Sequence, residues 1–327
     1  VVSLLQQTIK DPKATRNFGV TLMLGIAYAA NLGGMATLIG TPPNLVLAGL
    51  VEEAGMAPLG FANWLFFALP LVIMLFAMVY LLNTKVLFKL KLPALNGFGT
   101  LIKNELSSLG RMSSAEKRVL LVLSCTALLW IFRAQLNQWE PLANLSDTII
   151  AIAAAVVLFV SPSGNRKAEP LLDWNDMTKL PWGILLLFGG GISLAKGMEV
   201  TQMVDTVGLW ISSANYPSLL LLILVVCFFA VFLTEVMSNV ALVSVFIPVS
   251  FVIASSLQVD SLALAIPLTL GASCAFMFPI STPPNAIVFS SGYLKMGEMA
   301  KAGVVLNLIS IAIITLYSYF LVPLFFG

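Results

Sequence analysis

Gly40-Thr41-Pro42-Pro43-Asn44 recurs near the far end of the chain as Ser281-Thr282-Pro283-Pro284-Asn285. Both copies lie inside apolar stretches, residues 18–51 and 262–292, that exceed the ~20 residues a helix needs to cross a bilayer. Each stretch must therefore break, and the motif marks the place. Proline clashes with a helical conformation in the residue before it, so Thr41 and Thr282 sit where the incoming helix ends. A second half-helix starts there, with threonine at the N-cap, proline at the first helical position and asparagine two residues on. Its partial positive end, free N–H groups and threonine hydroxyl make a setting for an anion, while unwound carbonyls across the break suit a cation such as Na⁺. One copy alone reads as a proline kink; two matching copies on broken segments read as a site.

The remaining sequence has a membrane composition. Of the 327 residues, 59% are hydrophobic and 10% charged, against about a quarter charged in soluble domains, and mean hydropathy is +0.98. Further apolar segments at 61–84, 119–137, 147–160, 181–195, 218–258 and 302–322 give an all-α, multi-pass fold in the lipid bilayer. The loop from Lys85 to Arg118 carries seven Lys or Arg against Glu105 and Glu116, whereas Glu52 and Glu53 open the 52–60 loop. The positive-inside tendency places the first loop in the cytoplasm and the second outside. Following the chain from there, the two motif copies run in opposite directions across the membrane, an inverted repeat with sites expected near the midplane.

Other function classes are excluded by what is missing. The net charge is +2 and no basic run is interleaved with aromatics, so there is no footprint for nucleic acid. Histidine is absent, and Cys125, Cys227 and Cys274 lack disulfide or zinc spacing and read as buried thiols. No pair of carboxylates clusters at mid-membrane, which leaves an enzyme without acid–base groups, and no organic cofactor is expected.

The topology requires residues 218–258 to enter and leave on one side, as a re-entrant hairpin whose tip is buried in protein or lines a watery cavity. The tip is Phe232-Leu-Thr-Glu-Val-Met-Ser-Asn-Val240. An acidic residue facing lipid at mid-bilayer costs about 2.5–3.5 kcal/mol, so Thr234, Glu235, Ser238 and Asn239 face inward. Ser238 and Asn239 read as caps of the returning half-helix and as neutral ligands for substrate or Na⁺. Glu235 reads either as a coupling carboxylate for H⁺ or Na⁺, or as a structural acid bracing the hairpin.

Taken together, these residues resemble the divalent anion:sodium symporters, carriers of succinate, other dicarboxylates, citrate or sulfate. The likeness covers nearly the whole chain: the Ser238-Asn239-Val240 tip, the paired breaks, Gly189-Gly190-Gly191 after Pro181-Trp182, and Tyr293-Leu-Lys-Met-Gly-Glu-Met299. It implies an elevator-type transporter, homodimeric when full length and coupled to Na⁺, while the short loops favour placement in a bacterial inner membrane. Carried over by position, the substrate shell is Ser238, Asn239, Val240, Thr41, Pro42, Thr282 and Pro283, with Val240 replacing a threonine and its hydroxyl. Thr234, the Met237 carbonyl, Asn239 and the Ser281 carbonyl resemble one Na⁺ site, and Gly40 the wall of another.

Residues 1–84 then read as the remainder of a first repeat (broken helix 18–51, helix 61–84), 85–118 as a cytoplasmic linker and 119–327 as a second repeat. Ser238 precedes Thr282 by 44 residues, so the matching tip of the first repeat falls before Val1. The expectation is a chain lacking the first hairpin and its scaffold helices and unable to transport alone. The expected function is Na⁺-coupled secondary transport of small di- or tricarboxylate anions. The alternatives are a proton-coupled or antiporting permease for inorganic ions that leans on Glu235, and a non-transporting ligand sensor on the same fold.

Overall fold

The computed structural model describes residues 12–88, 110–164, 169–179 and 218–327, with isolated positions among 99–108 and 189–201. The expected segment 181–195, apart from positions such as Gly189 and Gly190, and most of the 85–118 linker lie outside the described residues. Among the described residues every regular element is helical: α1 (Pro12–Met35), α2 (Pro42–Glu53), α3 (Phe61–Leu81, continued by a π-helical turn Leu82–Leu87), α4 (Ser114–Ile131), α5 (Arg133–Leu136), α6 (Asp147–Val160), α7 (Leu219–Leu233), α8 (Asn239–Ser256), α9 (Leu262–Ala272), α10 (Pro283–Ser290) and α11 (Met296–Phe326). By length and composition α1, α3, α8 and α11 can cross a membrane, so the chain is a multi-pass integral membrane protein.

Both overlong stretches break at the motif, between α1 and α2 at 36–41 and between α9 and α10 at 273–282. With 12 and 8 residues, α2 and α10 are only ~18 and ~12 Å long. The hairpin segment divides at 234–238 into α7 and α8. The last helix extends beyond 302–322 at both ends. Its start is fixed by Glu298, whose Oε2 accepts from the Lys295 N–H at 3.0 Å, so the polar look of this stretch comes from a cap rather than a loop. Likewise α4 begins before position 119 because Ser113 and Glu116 form a reciprocal capping box. The Ser113 backbone N–H and hydroxyl hold the exposed Glu116 carboxyl below its usual range. A lowered carboxyl supports the cap above its unfolded pKa and loses it as pH falls through the folded one.

The chain forms two compact units. The first comprises Val1–Leu59, Asn63–Pro93 and Gly183–Gly327. At its centre lies α9, every residue of which is buried. Its sequence, LALAIPLTLGA, is apolar on all sides, as a helix with neighbours all round must be. Helices α2, α7, α8 and α11 pack on it, while α8 also packs on α2 and α10 on α1, so elements carrying both motif copies interleave. A Cβ on Gly271 would lie 3.1 Å from Ala230 Cβ, which shows how closely α7 approaches. Around this centre, the Tyr28 ring meets Phe276 edge-on at 5.0 Å, and the Tyr317 hydroxyl donates to the Phe67 carbonyl at 2.6 Å.

The second unit comprises Gly60–Ala62 and Ala94–Trp182. Here α4 packs on α6, and Asp147 at the start of α6 is the hub. It pairs with Arg133 Nε at 3.2 Å and accepts from the Phe61 N–H at 3.1 Å. Trp130 donates to its carbonyl and stacks on Phe61. Cys125 on α4 is exposed, whereas Cys227 and Cys274 are buried. That corrects the reading of three buried thiols: in a membrane protein an apolar stretch belongs to the lipid-facing surface as readily as to the core.

One contact in the first unit admits no side chain. A Cβ on Gly303 of α11 would lie 2.5 Å from the Phe276 carbonyl and from Met277 Cα, whereas one on Gly297 of the same helix meets nothing within 4 Å. Gly303→Ala is expected to destabilise by about 1–3 kcal/mol through overpacking, and Gly297→Ala to be neutral or slightly stabilising. Melting temperatures in detergent check the pair.

Candidate functional site

The second break leaves its backbone off the helical path, and side chains from distant elements pair several of its groups. Glu235, at the hairpin tip, supplies the acceptors. Its Oε1 accepts from the N–H groups of Phe276 at 2.8 Å and Met277 at 2.9 Å, and from Asn307 Nδ2 at 2.8 Å. Its Oε2 accepts from the Phe278 N–H at 3.2 Å and the Ser281 hydroxyl at 2.7 Å. Donors to the carbonyls come from other elements. Asn285 Nδ2 donates to Ala275 and Phe278, at 3.0 and 3.1 Å. From α1, Asn31 donates to the Ala275 carbonyl at 3.0 Å and Tyr28 to the Phe276 carbonyl at 3.0 Å.

The first break is tighter and is held differently. Gly40 N–H closes a turn onto the Thr37 carbonyl, and Asn44 Nδ2 donates to that same carbonyl at 2.9 Å. Trp64 Nε1 takes the Met35 carbonyl at the end of α1, at 3.0 Å. A Cβ on Gly40 would lie 2.4 Å from the Gly34 carbonyl oxygen, so only glycine fits there. Asn44 Oδ1 is buried without a partner.

Three half-helices start at the expected threonines and serine, but their hydroxyls are used unequally. Thr41, Ser238 and Thr282 all have extended backbone at the N-cap. Only Thr282 caps, accepting from the Asn285 N–H at 3.4 Å. The Thr41 and Ser238 side chains make no capping bond. The sequence reading of Ser238 and Asn239 as side-chain caps of α8 is therefore corrected. Asn239 turns its amide oxygen to Thr234 instead, at 2.7 Å. The same Thr234 hydroxyl lies 2.6 Å from the Ala272 carbonyl. A hydroxyl carries one proton and can donate to only one of these two oxygens. Three oxygens thus converge next to the start of α8 with one proton among them, a donor set suited to a hard cation such as Na⁺. Among the described residues no group of three His, Cys, Asp or Glu is placed to hold a metal ion.

Of the expected residues, Thr234 and Asn239 touch each other, and Ser281 is tied to Glu235. Helix α2, which Thr41 precedes and Pro42 opens, packs on α8, which Ser238 precedes and Asn239 and Val240 open. Among the described residues no hydrogen bond joins Thr41, Ser238 and Thr282 to one another. Ser238, Pro283 and Gly40 are exposed, and Thr41, Pro42, Met237, Asn239 and Val240 half-buried. Sequence reading missed Tyr28, Asn31, Asn44, Asn285 and Asn307. The two motif asparagines carried a signal, since both copies end on one; their work is to pin the carbonyls of the break.

The chain matches the model of the sodium:sulfate symporter transmembrane region over residues 1–326. It is 38% identical over 314 residues to the sodium-dependent dicarboxylate transporter SdcS of Staphylococcus saprophyticus, covering 95% of this chain and 60% of the relative. The SdcS of Staphylococcus aureus strain RF122 is 38% identical over 325 residues, covering 99% of this chain and 62% of the relative. The chain therefore spans less than two thirds of the length of these relatives.

The unequal use of the hydroxyls gives a stability test. Thr282→Ala is expected to cost about 1 kcal/mol through loss of an N-cap, while Thr41→Ala and Ser238→Ala leave the melting temperature in detergent unchanged in the absence of ligand.

Proposed function

Since this chain belongs to the sodium:sulfate symporter family, we propose that it carries a substrate- and ion-binding body of a Na⁺-coupled symporter for small dicarboxylate anions such as succinate. The names of the staphylococcal relatives support both the substrate class and the coupling ion. The observation that carries the reading is the cluster of Thr234, Asn239 and Ala272 oxygens beside the uncapped start of α8.

In this reading Na⁺ is held by Thr234, Asn239, the Ser281 and Met237 carbonyls and the newly placed Ala272 carbonyl, with Gly40 at a second ion. The anion lies at the half-helix starts, against Thr41 and Pro42, Ser238, Asn239 and Val240, and Thr282 and Pro283. The positive ends of α2, α8 and α10 and the free hydroxyls of Thr41 and Ser238 receive the carboxylates without any lysine or arginine. Val240 offers an apolar wall. Asn239 belongs to both subsites, so cation and anion bind as neighbours. Opposite unit charges ~4 Å apart attract by about 4 kcal/mol at an effective dielectric of 20. Each ligand then raises the affinity for the other by the same factor, which is the thermodynamic core of symport. The division into repeats at 1–84 and 119–327 about the 85–118 linker, elevator-type movement, homodimeric assembly and placement in a bacterial inner membrane belong to the same proposal.

Glu235 favours Na⁺ over proton coupling. Its two oxygens already accept from five donors, three of them backbone N–H groups, and a carboxylate has about four lone-pair positions. It braces the break, and has no position left for a transported ion.

The protein carrying this chain, reconstituted in proteoliposomes, is expected to take up labelled succinate under an inward Na⁺ gradient and to stop when choline replaces Na⁺. Ser238→Ala is expected to raise the succinate concentration for half-maximal uptake by on the order of tenfold or more, as for a lost hydrogen bond to a charged ligand. Uptake that persists in choline and collapses with a protonophore overturns the Na⁺ reading.

A further inference from the structure

Helix α11 meets the second break through two residues four apart, hence on one face. Gly303 lets it approach until only a hydrogen fits against the Phe276 carbonyl. One turn on, the fully buried Asn307 donates from Nδ2 to Glu235 Oε1 at 2.8 Å. Among the described residues Asn307 is the only side chain of α11 that bonds this carboxylate. Its own Oδ1 has no partner. A buried acceptor left unpaired costs stability, so an apolar residue of the same volume would suit the packing better. The asparagine is explained by its donor. Under the correspondence of Thr41 with Thr282, the positions matching Gly303 and Asn307 on α3 are Ala62 and Phe66, and Phe66 is exposed. The device belongs to the second break alone.

We propose that Asn307 is a positioning residue for the cation site: by holding Glu235 against the second break it fixes Ser281 and the hairpin tip in the arrangement through which Thr234 and Asn239 bind Na⁺. The proposal rests on the Na⁺-symport reading. The chain of contacts is short. Asn307 orients the carboxylate, the carboxylate binds the N–H groups of Phe276, Met277 and Phe278 and the Ser281 hydroxyl, and Glu235 is the residue after Thr234. Without Asn307, Oε1 keeps the Phe276 and Met277 N–H groups but loses the one donor that comes from α11, so the carboxylate and the break it holds are no longer anchored to that helix.

The test uses Asn307→Leu, which keeps the branched shape at a larger volume, removes the donor and removes the orphaned oxygen, with the smaller Asn307→Ser as a second variant should leucine fail to fold. Both are made in the protein that carries the chain. The Na⁺ concentration for half-maximal succinate uptake is expected to rise by on the order of tenfold. Maximal rate and succinate half-saturation, measured at saturating Na⁺, are expected to stay within about twofold. Hydrogen exchange at the amides of Phe276, Met277 and Phe278, followed by mass spectrometry, is expected to quicken. A wild-type Na⁺ half-saturation in the variant, or a fall in maximal rate alone, overturns the positioning role. So does unchanged exchange at the three amides, whatever uptake does. Na⁺-independent uptake by the wild type overturns the symport reading instead. Faster exchange in the variant then still upholds the hold of Asn307 on the break.

Discussion

Backbone that leaves the helical path inside a bilayer has no water to bond, and the fold of the first unit follows from meeting that constraint. The second break exposes three successive N–H groups, at Phe276, Met277 and Phe278, and a single carboxylate takes all three. Glu235 therefore has to reach the break from the hairpin tip, which fixes where α7 and α8 stand relative to α9. Helix α11 has to come close enough for Asn307 to steady the acid, which requires a glycine at 303. Helix α1 contributes Tyr28 and Asn31 to the carbonyls. Glu235 is the point at which the hairpin tip, the second break and α11 are tied.

The two breaks share a motif and solve the same problem by different means. In the second, the acceptor is a side chain distant in sequence and the donors come from α1 and α10. In the first, the break folds on itself, with Gly34 against Gly40 and Asn44 reaching back to Thr37. The contrast extends to the N-caps: the Thr282 hydroxyl serves its own helix, while those of Thr41 and Ser238 are left unused by theirs. A hydroxyl spent on a cap contributes to stability, and one left free is available to a ligand. The same residue type at equivalent positions thus supports different work.

Under the proposed reading, cation and anion subsites that share Asn239 would need no permanently charged side chain. The helix ends, the neutral oxygens and the ions themselves supply the field, and each ion lowers the cost of dehydrating the other. A site so built would bind both ligands well or neither, which is the coupling the proposed symport requires.

Much of this was legible in the sequence, because the constraints that created it are local. Apolar length demands a membrane, proline after threonine demands a helix boundary, and two copies of Thr-Pro-Pro-Asn demand two similar breaks. The positions of α1 and α2, α9 and α10, and the Thr234–Val240 tip follow from such short-range rules. The tertiary structure alone decided what fills the breaks. Glu235 is 41 to 72 residues from its break and α11 partners, and Tyr28 and Asn31 are 248 and 244 residues from the carbonyls they serve. No periodicity or propensity encodes a hydrogen bond across that distance. It arises only when packed helices bring a buried acceptor and a stranded donor together in a medium where neither has an alternative.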